Sequence, residues 1–152
     1  MGDHAGARDS MERQADVFTT LPDTVTRNKM SAEGWSESRL LHTRSLVQTM
    51  TGNPAAASAQ QEALDSYPPG RTRQKAQIRL HQATSAVRDG SVDDGLQNAA
   101  STLEGLGPEN ITRFVLHVAY GVADAAPAGH NAQSAIAEYR EHLALTAAKE
   151  DK

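Results

Sequence analysis

The chain has 152 residues, enough for one domain with a substantial core, and its formal net charge of −4 gives no overall attraction to nucleic acid. It has no cysteine, which excludes disulfides, thiolate metal ligands and cysteine nucleophiles. Hydrophobic residues make up 38% and aromatic residues only 4%, a balance that favours packed helices over a β-sandwich. The N-terminus does not have the layout of a signal peptide, and the longest mostly apolar run is too short to span a bilayer. We therefore expect a soluble protein in the cytoplasm.

The N-terminal part of the chain predicts one isolated helix. Residues 1–10 show no periodicity and are predicted to be flexible. From Met11 to Leu21, apolar residues at helical spacing predict a helix that Pro22 ends. This helix either caps a helical stack or is the second helix of a repeat that begins outside the chain. The connection that follows carries Trp35, which we expect to anchor it against the next helices, with ligand stacking as the alternative.

Three helical hairpins are predicted after this connection. The clearest lies between Arg71 and Leu106, where two apolar-periodic segments flank Asp89, Gly90 and Ser91. Glycine suits the left-handed conformation that commonly ends a helix, so a turn is expected at Gly90. The predicted helices span residues 37–50, 54–66, 71–88, 92–105, 109–125 and 131–146, and residues 147–152 are predicted to be a flexible tail.

The hairpins repeat along the chain. Leu64, Leu103 and Leu143 occupy matching positions in the three second helices, at offsets of 39 and 40 residues. A two-helix unit that recurs at this period is typical of an α-solenoid, in which each hairpin buries its apolar faces against its neighbours. The sequence thus predicts an all-α fold. We expect a single tetratricopeptide-like, right-handed α-solenoid over residues 11–146, with about three helical hairpins plus the N-terminal helix.

Two stretches of the chain also resemble a known family. LPDTVTRNKMSAEGWSESRLLHTRSLVQTMTGN and AQIRLHQATSAVRDGSVDDGL are similar to the C-terminal regions of Streptomyces-type helix-turn-helix transcriptional regulators of the XRE class. Those regions look like degenerate tetratricopeptide repeats, and the resemblance covers about residues 15–145. It implies a region that senses a ligand or partner and dimerises. The part up to Phe18 is too short for the DNA-binding module of such regulators, so DNA binding is not carried over. The chain is expected to be a fragment or a stand-alone relative of the sensor part.

The candidate ligand-binding residues come from the first helix of each predicted hairpin. A Leu-His pair recurs in these helices, and a polar residue lies three or four positions before each histidine. First helices line the groove of a tetratricopeptide-like stack, so these side chains are candidate contacts. The set consists of Arg39, His42, Gln77, His81, Arg113 and His117. Arginine offers a planar set of donors to carboxylates, which favours an acidic peptide or an anionic effector. The alternative is a structural role, with imidazoles hydrogen-bonded between helices.

No catalytic motif occurs in the sequence. It contains no G-x-S-x-G, G-x-x-x-x-G-K-[ST], G-x-G-x-x-G or H-E-x-x-H pattern, and the histidines of separate repeats do not have metal-ligand spacing. We expect no enzymatic activity, no cofactor, no metal, no nucleic-acid binding by this chain and no membrane association. The predicted function is a sensor or protein-interaction domain that binds a peptide, a partner protein or a small effector. The alternative is a structural adaptor or dimerisation module without a small ligand.

A homodimer is also predicted, because the ends of a helical stack must be capped or paired. The residues expected to pair are Val17, Phe18 and Leu21 at one end, and Ile136, Tyr139 and Leu143 near the other.

Overall fold

The computed structural model describes residues 3–27, 36–128 and 132–150, with side chains as far as residue 148. All regular secondary structure in these residues is helical, which confirms the predicted all-α class. The helices are α1 (His4–Thr20), α2 (Asp23–Thr26), α3 (Glu37–Met50), α4 (Ala56–Ser66), α5 (Thr72–Arg88), α6 (Val92–Glu104), a 3₁₀ helix (Pro108–Asn110), α7 (Arg113–Asp124) and α8 (Gln133–Glu150). Trp35 and its predicted anchoring role lie outside the described residues. None of the described helices combines the length and apolar character needed to cross a membrane.

The two ends of the chain are more helical than predicted. Helix α1 begins at His4, because the side chain of Asp3 accepts a hydrogen bond from the Gly6 N–H at 2.8 Å and caps the first turn. The helix therefore begins before its predicted start at Met11, whereas the flexibility of residues 1–10 stays a prediction. Helix α8 continues to Glu150, beyond the predicted end at residue 146, and Ala147 is partly buried against the core. The contact of Ala147 with the core explains why α8 continues past residue 146 into the predicted loose tail.

The predicted helix over residues 109–125 is divided into two. A 3₁₀ helix ends at Asn110, Ile111 has extended backbone, and α7 begins after Thr112. The Thr112 hydroxyl accepts a hydrogen bond from the Val115 N–H at 3.3 Å and caps α7. Apolar periodicity alone did not reveal this break, because Ile111 and Val115 are both buried on either side of it.

The chain divides into two compact units, residues 1–68 and 69–152. In the first unit α3 pairs with α4, and α1 packs on α3. In the second unit α5 pairs with α6 and also packs on α7, while α8 packs on both α6 and α7. These contacts include the three predicted hairpins. The solenoid arrangement and the single domain over residues 11–146 stay predictions.

The first unit has a largely polar interior. In its described part, the buried apolar residues are three alanines, Ala56, Ala59 and Ala63. The side-chain amide of Gln60 donates to the Thr49 hydroxyl at 2.8 Å, and that hydroxyl donates to the main-chain carbonyl of residue 45 at 2.7 Å. Small side chains let α3 and α4 approach closely, and the buried Gln60–Thr49 hydrogen bond joins the two helices.

The second unit has a contiguous apolar core, formed by residues of α5 to α8. Its members are Leu80, Ala83, Val87, Val92, Leu96, Ala99, Leu103, Ile111, Val115, Leu116, Ala119, Val122, Ala123, Ala132, Tyr139 and Leu143. The Tyr139 hydroxyl donates to the Ala119 carbonyl at 3.0 Å, which fixes α8 on α7. Tyr139 and Leu143 were predicted to pair between protomers, and this is corrected because both are buried within their own unit.

Candidate functional site

The six side chains predicted to bind a ligand lie in three different environments. Arg39 on α3 and both Arg113 and His117 on α7 are exposed. His42 on α3 is half-buried, whereas Gln77 and His81 on α5 are buried, with His81 only 1% exposed. The six residues therefore do not form one open surface. A ligand-binding role for Gln77 and His81 stays a prediction, and it would require their helix to move so that a ligand could reach them.

His42 makes a defined contact inside the first unit. Its Nδ1 lies 3.3 Å from the Tyr67 hydroxyl, and the two rings meet edge to face with centroids 5.9 Å apart. Burial lowers the pKa of His42 from 6.5 to about 4, because the imidazolium form would lose its hydration. The imidazole is thus neutral at neutral pH. This arrangement favours the structural alternative for His42, since a neutral half-buried ring offers no charge to an anionic ligand.

Helix α7 has a buried apolar face and an exposed face that carries aromatic residues together with an arginine and a histidine. The buried face carries the apolar residues that enter the core, namely Val115, Leu116, Ala119, Val122 and Ala123. The exposed face carries Arg113, Phe114, His117 and Tyr120, and we call these four residues the α7 face. Phe114 is 49% exposed and Tyr120 is 37% exposed. At the rise of an α-helix the two aromatic residues lie about 9 Å apart along the axis, with His117 midway.

The N-terminal end of the α7 face is electropositive. The first turn of α7 contains no acidic residue, so the partial positive charge of the helix N-terminus is not neutralised there. Arg113 adds a guanidinium, which has no ion-pair partner among the described residues. At the opposite end, Asp124 is paired with Arg140 at 2.8 Å. The α7 face therefore combines donors for an anion with two apolar aromatic rings.

Sequence reasoning identified Arg113 and His117 but missed the two aromatic residues. A signal for them was present, because Phe114 and Tyr120 fall outside the spacing of the buried stripe of α7. Both residues belong to the longest mostly apolar run, which the sequence analysis above considers only as a membrane span.

A cavity of about 280 Å³ lies at the C-terminal end of α6, where the 3₁₀ helix and α8 close it. It is lined by Leu103, Glu104, Leu106, Pro108, Ile111, His142 and Thr146. No sequence pattern predicted it, because one wall comes from residues 103–111 and the other from α8, which is distant in sequence. Across the described part of the chain, no group of three or more metal-ligating side chains is placed to hold an ion.

Comparisons with protein-family models, with curated proteins and with solved structures gave no match to this chain. Its function must therefore be inferred from the residues themselves.

Proposed function

We propose that this chain is a non-enzymatic, tetratricopeptide-like interaction domain that binds an extended segment of a partner protein on the α7 face. The segment would carry acidic side chains next to apolar ones. The observation that carries the proposal is the exposure of Phe114 and Tyr120 on one helix face together with Arg113 and His117.

The two aromatic residues supply the apolar part of the interaction. Burying a phenylalanine side chain is worth about 1.5–3 kcal/mol relative to leaving it in water. Phe114 and Tyr120 are each only partly exposed, so a partner gains a fraction of that amount from each ring. Tyrosine and arginine are also enriched among residues that dominate binding energy at protein interfaces. A partner segment would therefore place apolar side chains against Phe114 and Tyr120.

The charges of the α7 face select an acidic partner. Arg113 can hold a carboxylate through two parallel N–H···O bonds, and it lies in the first turn of α7, where the helix dipole also favours an anion. His117 offers a further ring nitrogen between the two aromatic residues. A basic segment would meet the same groups unfavourably.

The helix packing within the second unit supports the tetratricopeptide-like part of the proposal. Helix α5 packs on α7 and α6 packs on α8, so first helix meets first helix and second helix meets second helix. This is the contact pattern of stacked helical hairpins. The resemblance to the C-terminal regions of XRE-class regulators supports a regulatory setting, in which such a domain senses a peptide or partner protein.

The proposal is tested by selecting binders from a random dodecapeptide display library. The wild-type chain should enrich sequences with aspartate or glutamate next to leucine, phenylalanine or tryptophan. The Phe114→Ala/Tyr120→Ala variant should lose this enrichment, whereas Leu145→Ala should retain it, because Leu145 is 60% exposed on a different helix. Enrichment that survives the double substitution, or no enrichment by the wild type, would show that the α7 face is not the binding surface.

A second candidate function, homodimerisation, is favoured by helix α1. None of its described residues is fully buried, and Val17 is 57% exposed. Pairing of α1 with its copy would cover this side chain. Light scattering at tens of micromolar should then give the mass of a dimer for the wild type and of a monomer for Val17→Asp. A monomer mass for the wild type would exclude this candidate.

A further inference from the structure

The cavity at the end of α6 has an apolar floor. Leu103 and Ile111 are buried members of the core, and Leu106 and Pro108 extend the apolar surface towards solvent. The volume of about 280 Å³ is nearly twice the ~150 Å³ of an engineered apolar cavity that accommodates benzene. A single aromatic ring with a short substituent therefore fits this space.

The polar rim of the cavity is dominated by hydrogen-bond acceptors. Glu104 is the last residue of α6, and the last turn of that helix contains no basic residue. A carboxylate at this position adds to the partial negative charge of the helix C-terminus, which is an unfavourable arrangement without a cation. In the described part of the chain Glu104 has no ion-pair partner.

The other polar lining groups do not neutralise Glu104. The Thr146 hydroxyl already donates to the main-chain carbonyl of His142 at 2.9 Å, so its oxygen remains only as an acceptor. The His142 imidazole is the one lining side chain that could donate a hydrogen bond through a ring N–H. Beside the His142 imidazole, the rim thus offers a carboxylate at the C-terminal end of α6 and a hydroxyl oxygen to a ligand that brings its own donors.

We propose that this cavity binds a small organic cation, a protonated primary amine joined by a short linker to an aromatic or branched apolar group. The ammonium group would lie against Glu104, and the apolar group would occupy the floor formed by Leu103, Leu106 and Ile111. The site is separate from the α7 face, so this proposal stands whether or not a peptide binds there.

The test compares three phenyl-substituted probes that differ mainly in charge: 2-phenylethylamine, 2-phenylethanol and 3-phenylpropionate. Each is titrated into the ¹⁵N-labelled full chain and followed by amide chemical shifts. 2-Phenylethylamine should produce saturable shifts at Leu103, Leu106, Ile111 and Thr146, with the neutral alcohol weaker and the anion weakest. Equal affinity for the three probes, or the absence of saturable shifts at these residues, would overturn the proposal.

Two charge-neutralising variants separate a specific site from general attraction to an acidic protein. Glu104→Gln should weaken binding of 2-phenylethylamine by about threefold to fivefold, the upper range for a solvent-exposed ion pair, and leave 2-phenylethanol unaffected. The control, Glu138→Gln, removes an exposed carboxylate of α8 outside the cavity and should bind the amine as the wild type does. Equal losses of affinity for 2-phenylethylamine in the two variants would contradict binding in this cavity. Both changes are at exposed positions, so both proteins are expected to fold.

Discussion

The hairpins α3/α4 and α5/α6 share one layout but have opposite interiors. Each joins its helices through a turn with a left-handed glycine, Gly52 at φ 62° and Gly90 at φ 98°. The α5/α6 hairpin contributes large aliphatic side chains to an apolar core, whereas α3/α4 buries alanine, serine, threonine and glutamine. Turn chemistry and periodicity therefore determine where the helices begin and end. The residue types on the buried stripe determine what holds them together.

The difference matters because the two interiors respond to different perturbations. An apolar interior is stabilised in proportion to the area removed from water, so it is sensitive to lost volume. A polar interior depends on the geometry of individual hydrogen bonds, and on which protonation state each ionisable group adopts. We therefore expect the α5/α6 hairpin to be most sensitive to lost side-chain volume, and the α3/α4 hairpin to be most sensitive to lost hydrogen bonds and to pH.

The largest effect is expected from truncating the core of the second unit. Leu80 is fully buried in the apolar cluster, and Leu80→Ala should lower the free energy of unfolding by about 2–5 kcal/mol. Urea denaturation followed by circular dichroism measures this change. The exposed Leu145→Ala should stay within about 0.5 kcal/mol of the wild type. Similar stability of the two variants would contradict the assignment of the core.

A pH dependence is expected from the polar hairpin. Burial depresses the pKa of His42 from 6.5 to about 4, so the unfolded chain binds a proton in this window that the folded chain does not. The contribution of His42 is therefore fully present above pH 6.5 and is lost as the pH falls towards 4. The shift corresponds to a loss of about 3 kcal/mol across the window. His42→Phe should remove this loss, so that the stability of the variant falls less than that of the wild type between pH 6.5 and pH 4.

The control for the pH experiment is Leu145→Ala, which changes no ionisable group and should keep the wild-type slope. A slope that His42→Phe leaves unchanged would show that the imidazole near Tyr67 is not held in its neutral form by the fold.

Replacing either of two helical glycines by alanine should have a smaller effect on stability. The change at Gly95 should destabilise the chain, whereas the change at Gly121 should stabilise it. A Cβ on Gly95 of α6 would lie 2.5 Å from Val87 Cγ2 and 2.9 Å from the Ala83 carbonyl, so Gly95→Ala should cost about 1–3 kcal/mol. A Cβ on Gly121 of α7 meets nothing within 4 Å. Gly121→Ala should stabilise the chain by about 0.5–1 kcal/mol through helix propensity alone. Equal changes in melting temperature would mean that α5 and α6 are not in close contact at Gly95.

Much of the helical layout could be predicted from the sequence. Helix α3 has the predicted bounds, and α5 and α6 agree within one residue, because apolar periodicity and glycine turns act locally. The cap at Thr112 was missed because Ile111 and Val115, on either side of it, keep the spacing of a continuous helix and are both buried. The polar interior of α3/α4 was also unpredictable, because a buried serine or glutamine has the same local pattern as an exposed one.

The candidate site was predictable only in part. The recurrent Leu-His pair predicted the same ligand-binding role for His42, His81 and His117. In the structure these side chains are half-buried, buried and exposed, respectively. Their environments depend on neighbouring helices, which the repeat does not encode. By contrast, the exposure of Phe114 and Tyr120 follows from helical spacing on α7 once the buried stripe is known.

Charge reversal on the α7 face is the most direct test of the proposed function. Arg113 is exposed, so Arg113→Glu should fold as the wild type does, and it places a carboxylate beside the same two aromatic rings. In selection from the random dodecapeptide library, the wild type should enrich acidic residues next to apolar ones. Arg113→Glu should instead enrich lysine and arginine next to the same apolar residues. Recovery of the same acidic sequences by both proteins would contradict recognition at the α7 face.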